Sequence, residues 1–485
     1  MSKKQRQQKK KQKFFNPDAI ATSVASAVTR DFTHQFNLFD HNDEFLARSF
    51  GSVVQVEDVL KRYIPAGFDK EPLDRETYDT FKRINDHMAE KNDYFDYLTH
   101  FGDQYDKDNY DPLTYQELYV WKVLKSAKYL IKQILGDFDH EQWLLCCKHG
   151  AGATVGVPFR NTSIEAKSSY PITTTENALR RYRLFLQKDS RLSQAIENLN
   201  EPIPRFGKKY EIVDGSRATT VDKTITKRRM IACEPTVNMY LQQGIMQQFY
   251  ARLRDFGLDV ASLPERHRVL AMTGSLDNRL ATIDFSNASD TVGFNLVRWI
   301  LPPSWFSVMT ECRSPEMYLD GTWHNLHMFS TMGNAVTFPL ETILLYALAC
   351  SCTFHRTPAH PHDKVWNAIG SRKGDETLIP YKCQKACSVF GDDCILPTSV
   401  APNFISVCEV LGFIVNEEKS FFGNEYFRES CGGDYFHGFD VRSYKFKSPH
   451  NKKRSSLEPW LYTILNNFLP KYRLYFGDCS YVYDK

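Results

Sequence analysis

The stretch Ser388–Pro397, SVFGDDCILP, sets two adjacent carboxylates, Asp392 and Asp393, between two short apolar runs. Side by side the charges repel, and apolar flanks promise little water, so the arrangement costs free energy unless a cation or base offsets it. Gly391 supplies backbone freedom between two short strands, which predicts a hairpin tip that presents the pair. Upstream, RLATIDFSNASDTVGFNLVRWIL begins with an apolar run, Leu280 to Ile283, that reads as a buried strand ending at Asp284. Ser289 or Asp290 is then expected to cap a helix with Val292, Leu296, Val297 and Ile300 on one face. If the two strands are neighbours, three carboxylates meet. Hard oxygen ligands, few in number, with coordination left open for water and phosphates, suit Mg²⁺. Two such ions about 3.5–4 Å apart activate an attacking oxygen and stabilise a leaving one during in-line phosphoryl transfer. Gly-Asp-Asp alone is weak evidence, and a solvated hairpin turn is the competing reading.

The bulk composition, 485 residues with 42% hydrophobic and 25% charged, is that of an ordinary globular protein. A net charge of only +3 means that any hold on a polyanion must come from local clusters of Lys and Arg. MSKKQRQQKKKQK at the N-terminus carries seven basic residues and no acid, and residues 1–30 are expected to form a basic, mobile arm. Twelve cysteines without an apolar N-terminal segment read as thiols rather than a disulfide framework. The most apolar window, Ala335 to Cys350, contains Glu341 and falls short of the roughly 20 residues a membrane span needs. GAGATVG, Gly150 to Gly156, lacks the Lys-Ser/Thr ending of a phosphate loop and is expected to be a glycine-rich turn of unassigned role.

Other segments carry chemistry in a consistent order. DGSRATTVDKTITKRRMIACEP, Asp214 to Pro235, concentrates Arg217, Lys223, Lys227, Arg228 and Arg229, a composition suited to a triphosphate. FSTMGNAVTFPLETILLYALAC has a loop with Ser330, Gly333 and Asn334 leading into an apolar helix expected to start near Pro339. NEEKSFF places Lys419 after an apolar run, and FRESCGGDYFHGFDV follows. Together these stretches resemble the RNA-dependent RNA polymerases, and among them the replicase catalytic (beta) subunits of positive-strand RNA bacteriophages. The basic segment is similar to the fingers motif, ATIDFSNASD to the first palm motif, FSTMGNAVTF to the second, FGDD to the third, and FRESCGG to the motif joining palm and thumb. The resemblance covers about Asp214 to Val441. Asp290 stands six residues after Asp284, where many viral RNA polymerases have five, and the Cys/His-containing segment between Cys350 and Cys387 looks like an insertion.

The resemblance implies an α+β right hand: fingers over residues 31–275, a palm of antiparallel sheet plus helices over 276–430, and a thumb over 431–485. It implies Asp284, Asp392 and Asp393 as ligands of two Mg²⁺ ions, with Mn²⁺ as an alternative. Lys223, Lys227 and Arg229 would hold the incoming ribonucleoside triphosphate, and Asp290, Ser330 and Asn334 would sense the ribose 2′-hydroxyl. Lys419 would donate a proton to the leaving pyrophosphate. The implied partners are RNA template and nascent RNA, host elongation factors Tu and Ts and a ribosomal RNA-binding protein. The expected location is the cytoplasm of the bacterial host, with no membrane. Cys350, Cys352, His355, His360, His362, Cys383 and Cys387 follow no recognised zinc spacing and are expected to be incidental. A reverse transcriptase shares the palm carboxylates, and a non-catalytic RNA-binding protein could carry the basic arm and aromatics with incidental acids.

Overall fold

The computed structural model describes residues 17–35, 51, 53–55, 57–65, 67–108, 113–169, 171–188, 190–198, 209–355, 378–449 and 454–476. Short strands follow where apolar or β-branched runs are bounded by glycine, proline or acid. They are β1 (Ile172–Thr174), β2 (Tyr210–Ile212), β3 (Gly215–Asp222), β4 (Arg228–Cys233), β5 (Leu280–Ile283), β6 (Glu316–Leu319) and β7 (Thr322–Asn325). Further on come β8 (Ser388–Phe390), β9 (Asp393–Pro397), β10 (Phe427–Ser430), β11 (Gly433–Phe436) and β12 (Phe439–Asp440). Their sheets have the orders β1-β2, β4-β3-β6-β7, β5-β9-β8 and β10-β11-β12. The architecture is mixed helix and sheet, as expected.

The β5-β9-β8 sheet is antiparallel, with Ile283 opposite Cys394 and Phe390 opposite Asp393. Behind it lies the helix Thr337–Phe354, in contact with β8 and β9 and buried nearly all round. Among the described residues it is the one helix long and apolar enough to cross a membrane, and 89% of that stretch is buried inside the protein. Its apolar residues join those of β5, β8 and β9 in the main core, so its hydrophobicity is explained by interior packing. It begins two residues before Pro339.

The four-stranded sheet is covered on one face by the 38-residue helix Glu71–Asp108, whose Phe81, Ile84 and Met88 pack on Met230, Ala232, Met317 and Leu319. A third cluster joins the helix Pro17–Gln35 to the helix Arg454–Phe476, through Ala21, Val24 and Val28 against Trp460, Ile464 and Phe468. Residues 17–30 therefore differ from the expected arm: an apolar stripe gives this stretch a partner near the other end of the chain. The lysine-rich residues 1–16, like His360 and His362, lie outside the described residues.

A second difference lies after Asp284. Neither Ser289 nor Asp290 caps the helix; both sit in a 3₁₀ turn, Ala288–Asp290, and the helix Phe294–Ile300 starts behind Gly293. The cause is long-range pairing. Phe329 N donates to Val292 O (2.8 Å) and Phe294 N to His327 O (3.2 Å), which holds 292–294 extended against 327–329 before a helix can begin. Cys350, Cys352, Cys383 and Cys387 are buried apolar-core residues, and His355 bonds Ser126 Oγ (2.7 Å).

Candidate active site

Each of the three aspartates is placed by backbone pairing. Asp284 follows the last residue of β5, Ile283, which pairs with Cys394, the residue after Asp393. Asp393 opens β9 and Asp392 occupies the turn before it. The turn depends on Gly391: its φ of 61° is left-handed, a Cβ there would come within 2.6 Å of Phe338 Cε2, and its N–H donates to Thr342 Oγ1 (2.9 Å) on the buried helix.

The segment after residue 410 closes the site from the other side of β5. Asn416 donates from its backbone N to Asp284 O (2.9 Å) and from Nδ2 to Asp284 Oδ2 (2.8 Å), while Asp284 N donates to Ser420 Oγ (3.1 Å). Lys419 Nζ stands 3.9 Å from Asp284 Oδ2 and 3.5 Å from Glu429 Oε1. Asp393 Oδ2 accepts from Cys431 N (3.2 Å).

Charge is concentrated here without enough compensation. Burial, then Asp392, pushes Asp284 up to about 6. Burial, then Asp392 and Asp284, pushes Asp393 up to about 7. Burial also raises Asp392, although its own backbone N–H, Arg229, Lys419 and Lys223 pull it back. Burial would lower the Lys419 ammonium, but Glu429 and Asp284 more than offset this and hold it above its ordinary value. A fifth acid, Glu341, lies fully inside on the buried helix, with Oε1 lacking a hydrogen-bond partner among the described residues. Burial and then Asp392, Asp290, Asp284 and Asp393 raise it well above the ordinary carboxylate value. In the sequence Glu341 registers only as a break in an apolar window.

These donors are all oxygens and their charges repel at close quarters, which is the donor chemistry of a hard divalent cation. In this conformation no three His, Cys, Asp or Glu side chains among the described residues close into a ready-made metal cage. The fit is therefore one of charge and donor type.

Of the basic segment, Lys223 and Lys227 face each other across the β3–β4 turn, where Lys223 N donates to Lys227 O (3.2 Å). Burial, then Arg229 and Lys419, lowers the Lys223 ammonium, and Asp284 partly restores it. Strand alternation separates the two arginines. Arg228 turns to the helix Glu71–Asp108 and ion-pairs with Asp74 and Asp222, while Arg229 is exposed on the opposite face, where its charge reaches Asp392.

The loop at 330–336 is close to Asp290, whose carboxylate accepts from the Met332 backbone N–H; burial raises Asp290 to about 7. Its other groups are engaged within the protein. Ser330 Oγ accepts from Thr337 Oγ1 (2.8 Å), and Asn334 donates from Nδ2 to Glu234 Oε1 (3.2 Å) and accepts at Oδ1 from Val336 N (3.0 Å). Glu234, next after β4 and fully buried, also accepts from Ser314 Oγ (2.6 Å) and Gln242 Nε2 (3.2 Å). Burial raises Glu234, and those donors with the Arg313 charge pull it back. Ala232 N donates to Met332 O (2.7 Å), and a Cβ on Gly333 (φ 116°) would lie 2.2 Å from Ala232 O. The loop is thus clamped to the end of β4, a role for Glu234 that nothing in its sequence setting announces. The glycine turn at 150–156 meets the same place: Val155 N donates to Glu234 O (3.0 Å) and Lys167 Nζ to Gly150 O.

The family model described as RNA replicase, beta-chain, matches residues 73–359 and 376–466. The chain belongs to that family. Relatives include the RNA-directed RNA polymerase beta chains of Enterobacteria phage GA, 30% identical over 67% of this chain and 56% of the relative, and of Enterobacteria phage fr, 31% identical over 67% and 53%. The RNA-directed RNA polymerase subunit beta of Qbeta virus (strain MX1) is 32% identical over 66% of this chain and 48% of its own. The chain thus spans about half the length of the curated relatives it matches. The RNA-dependent RNA polymerase of a human picorbirnavirus aligns over 92% of this chain and 94% of its own at 12% identity and a TM-score of 0.41, a likeness too low to add to the assignment.

Proposed function

We propose that this chain is the catalytic subunit of an RNA-directed RNA polymerase that copies a single-stranded RNA phage genome from ribonucleoside triphosphates. The observation that carries this is the meeting of Asp284, Asp392 and Asp393, from two paired strands, opposite Lys223, Arg229 and Lys419. Fingers, palm and thumb are assigned to 31–275, 276–430 and 431–485, with β5-β9-β8 as the palm sheet. A pair of Mg²⁺ ions, or Mn²⁺ in their place, would supply Lewis-acid activation of the attacking hydroxyl and stabilise the leaving oxygen.

The chain's own residues do the rest. Asp284, Asp392 and Asp393 would hold the cations, which would neutralise the charge that these neighbouring carboxylates concentrate. Lys223, Lys227 and Arg229 orient the triphosphate in line with the attacking oxygen. Lys419, kept protonated by Glu429 and Asp284, stands as the acid for the departing pyrophosphate. Asp290 accepts from the ribose 2′-hydroxyl beside Ser330 and Asn334; the Asn334 amide retains a second hydrogen and a second lone pair for the sugar. The relatives named subunit beta support a chain that works beside other subunits, for which the expectation is elongation factors Tu and Ts and a ribosomal RNA-binding protein in the host cytoplasm.

The test is extension on an RNA template by the purified chain, with its partner subunits, supplied with ribonucleotides or deoxyribonucleotides. Ribonucleotide incorporation that disappears in Asp392→Asn, with RNA binding kept, supports the proposal. Preference for deoxyribonucleotides would make it a reverse transcriptase, and undiminished synthesis in Asp392→Asn would remove the carboxylates from the mechanism.

A further inference from the structure

The register of the four-stranded sheet aligns side chains that the catalytic reading leaves unused. Cys233 lies opposite Arg217, Arg217 opposite Tyr318, and Tyr318 opposite Trp323. Paired residues share a face, so this row crosses all four strands on the side away from the helix Glu71–Asp108. Arg217 and Tyr318 are exposed and Trp323 is half-buried. The Arg217 guanidinium lies 5.7 Å from the Tyr318 ring centroid, and the Tyr318 and Trp323 rings meet edge-on at 5.3 Å.

The same face leads to the carboxylates. Arg229, opposite Val221, points to this side four residues along β4 from Cys233, about 13 Å at roughly 3.3 Å per residue. Two strand spacings, about 10 Å, separate Arg217 from Trp323. Glu316 is the one acidic residue on this face of the four strands, against the guanidinium groups of Arg217 and Arg229.

Exposed aromatic rings on an open sheet, flanked by arginine, are the arrangement that holds single-stranded nucleic acid: every base has a π face to stack, and the phosphates find cations. The area suits two or three bases, the number such a sheet takes. A base-paired strand cannot offer its faces to the rings. We propose that this face carries the not-yet-copied single strand of the RNA template, with bases stacked on Tyr318 and Trp323 and phosphates at Arg217, while Arg229 marks where the strand reaches the nucleotide site. This deepens the polymerase reading and rests on it.

The test is fluorescence anisotropy of the full chain with a labelled, unstructured ten-nucleotide oligoribonucleotide. Tyr318→Ala and Trp323→Ala are expected to weaken binding roughly five- to 150-fold each, the range for loss of one stacked base, and Tyr318→Phe, which keeps the ring, to stay within about twofold of the parent. Arg75→Ala, on the helix that covers the opposite face of the sheet, should bind like the parent, and a blunt RNA duplex should not respond to Tyr318→Ala. Parent-like oligonucleotide binding in Tyr318→Ala and Trp323→Ala, or equal loss in Tyr318→Phe and Tyr318→Ala, overturns the stacking face. So does loss of a partner subunit with RNA binding intact, which would make the face a protein interface. The two readings fail separately: a polymerase that loses synthesis in Asp392→Asn but binds RNA normally in the ring variants keeps its activity assignment and loses only this face.

Discussion

The aspartates at the ends of β5 and β9 and the loop at 330–336 are both buried polar regions in contact with β4 or its charges, yet they are built in opposite ways. Around Glu234 every strong donor meets an acceptor: Ser314, Gln242 and Asn334 converge on one carboxylate and Arg313 lies near. Around Asp392 the carboxylates repel one another and Lys419 is shared between Asp284 and Glu429. The first is a finished scaffold. The second is a candidate site whose clustered charge a bound cation would offset.

The contrast predicts opposite signs for neutralising substitutions. Glu234→Ala removes the acceptor shared by Ser314, Asn334 and Gln242, of which Gln242 Nε2 keeps Cys312 O, and should destabilise the protein by roughly 3 kcal/mol, read as a lower melting temperature. Asp393→Asn in metal-free buffer should instead raise it, by on the order of 1–3 kcal/mol, because it removes a repelled buried charge. Two variants that shift the same way would erase the distinction.

A smaller effect concerns Arg229, whose charge reaches Asp392 across open space. Losing a charge-assisted contact of about 1.5–3 kcal/mol, Arg229→Ala should lower kcat/KM for nucleotides by roughly 10- to 150-fold, mostly through KM if the contact is equal in ground and transition states. Unchanged kinetics would return Arg229 to the surface.

The pH dependence sharpens the same comparison. Asp284 at about 6 and Asp393 at about 7 bind more protons folded than unfolded between the ordinary carboxylate value and those numbers. The contribution of these two carboxyls to metal-free stability should therefore fall as pH rises from about 4 to 7, and Asp393→Asn should remove its share of that fall relative to the parent. Because His149, His267 and His355, each lowered by burial to about 4, push stability the other way in this window, the decisive quantity is the difference between the two proteins: equal slopes for the parent and Asp393→Asn in chelator-treated protein contradict the buried cluster.

The placement of the candidate carboxylates was legible in the sequence because carboxylates at strand ends announce themselves by residue type and position. SVFGDDCILP and LATID each contain an apolar run that fixes the strand and an acid that ends it, and their adjacency requires only one antiparallel pairing. What stayed hidden depends on contacts between distant segments. The delayed start of the helix at Phe294 follows from pairing with 327–329, and the partnership of Pro17–Gln35 with Arg454–Phe476 joins opposite ends of the chain. Glu234 and Glu341 have no local pattern that marks them; their roles come from which helix and loop close over them.

The smallest expected effect is at Asn334. With its amide already committed to Glu234 and Val336, Asn334→Ala should reduce the preference for ribo- over deoxyribonucleotides by about fivefold, near the lower end of a lost buried hydrogen bond. An unchanged ratio of kcat/KM values assigns Asn334 wholly to the loop clamp.

The claim that the aspartate cluster is completed by divalent cations is tested most directly by the melting temperature at pH 8 with and without Mg²⁺, for the parent and for Asp392→Asn. Cations that bind only the folded site raise stability with concentration. The parent should gain melting temperature with Mg²⁺ and Asp392→Asn should lose most of that gain; equal gains in the two proteins, or none in the parent, would contradict it.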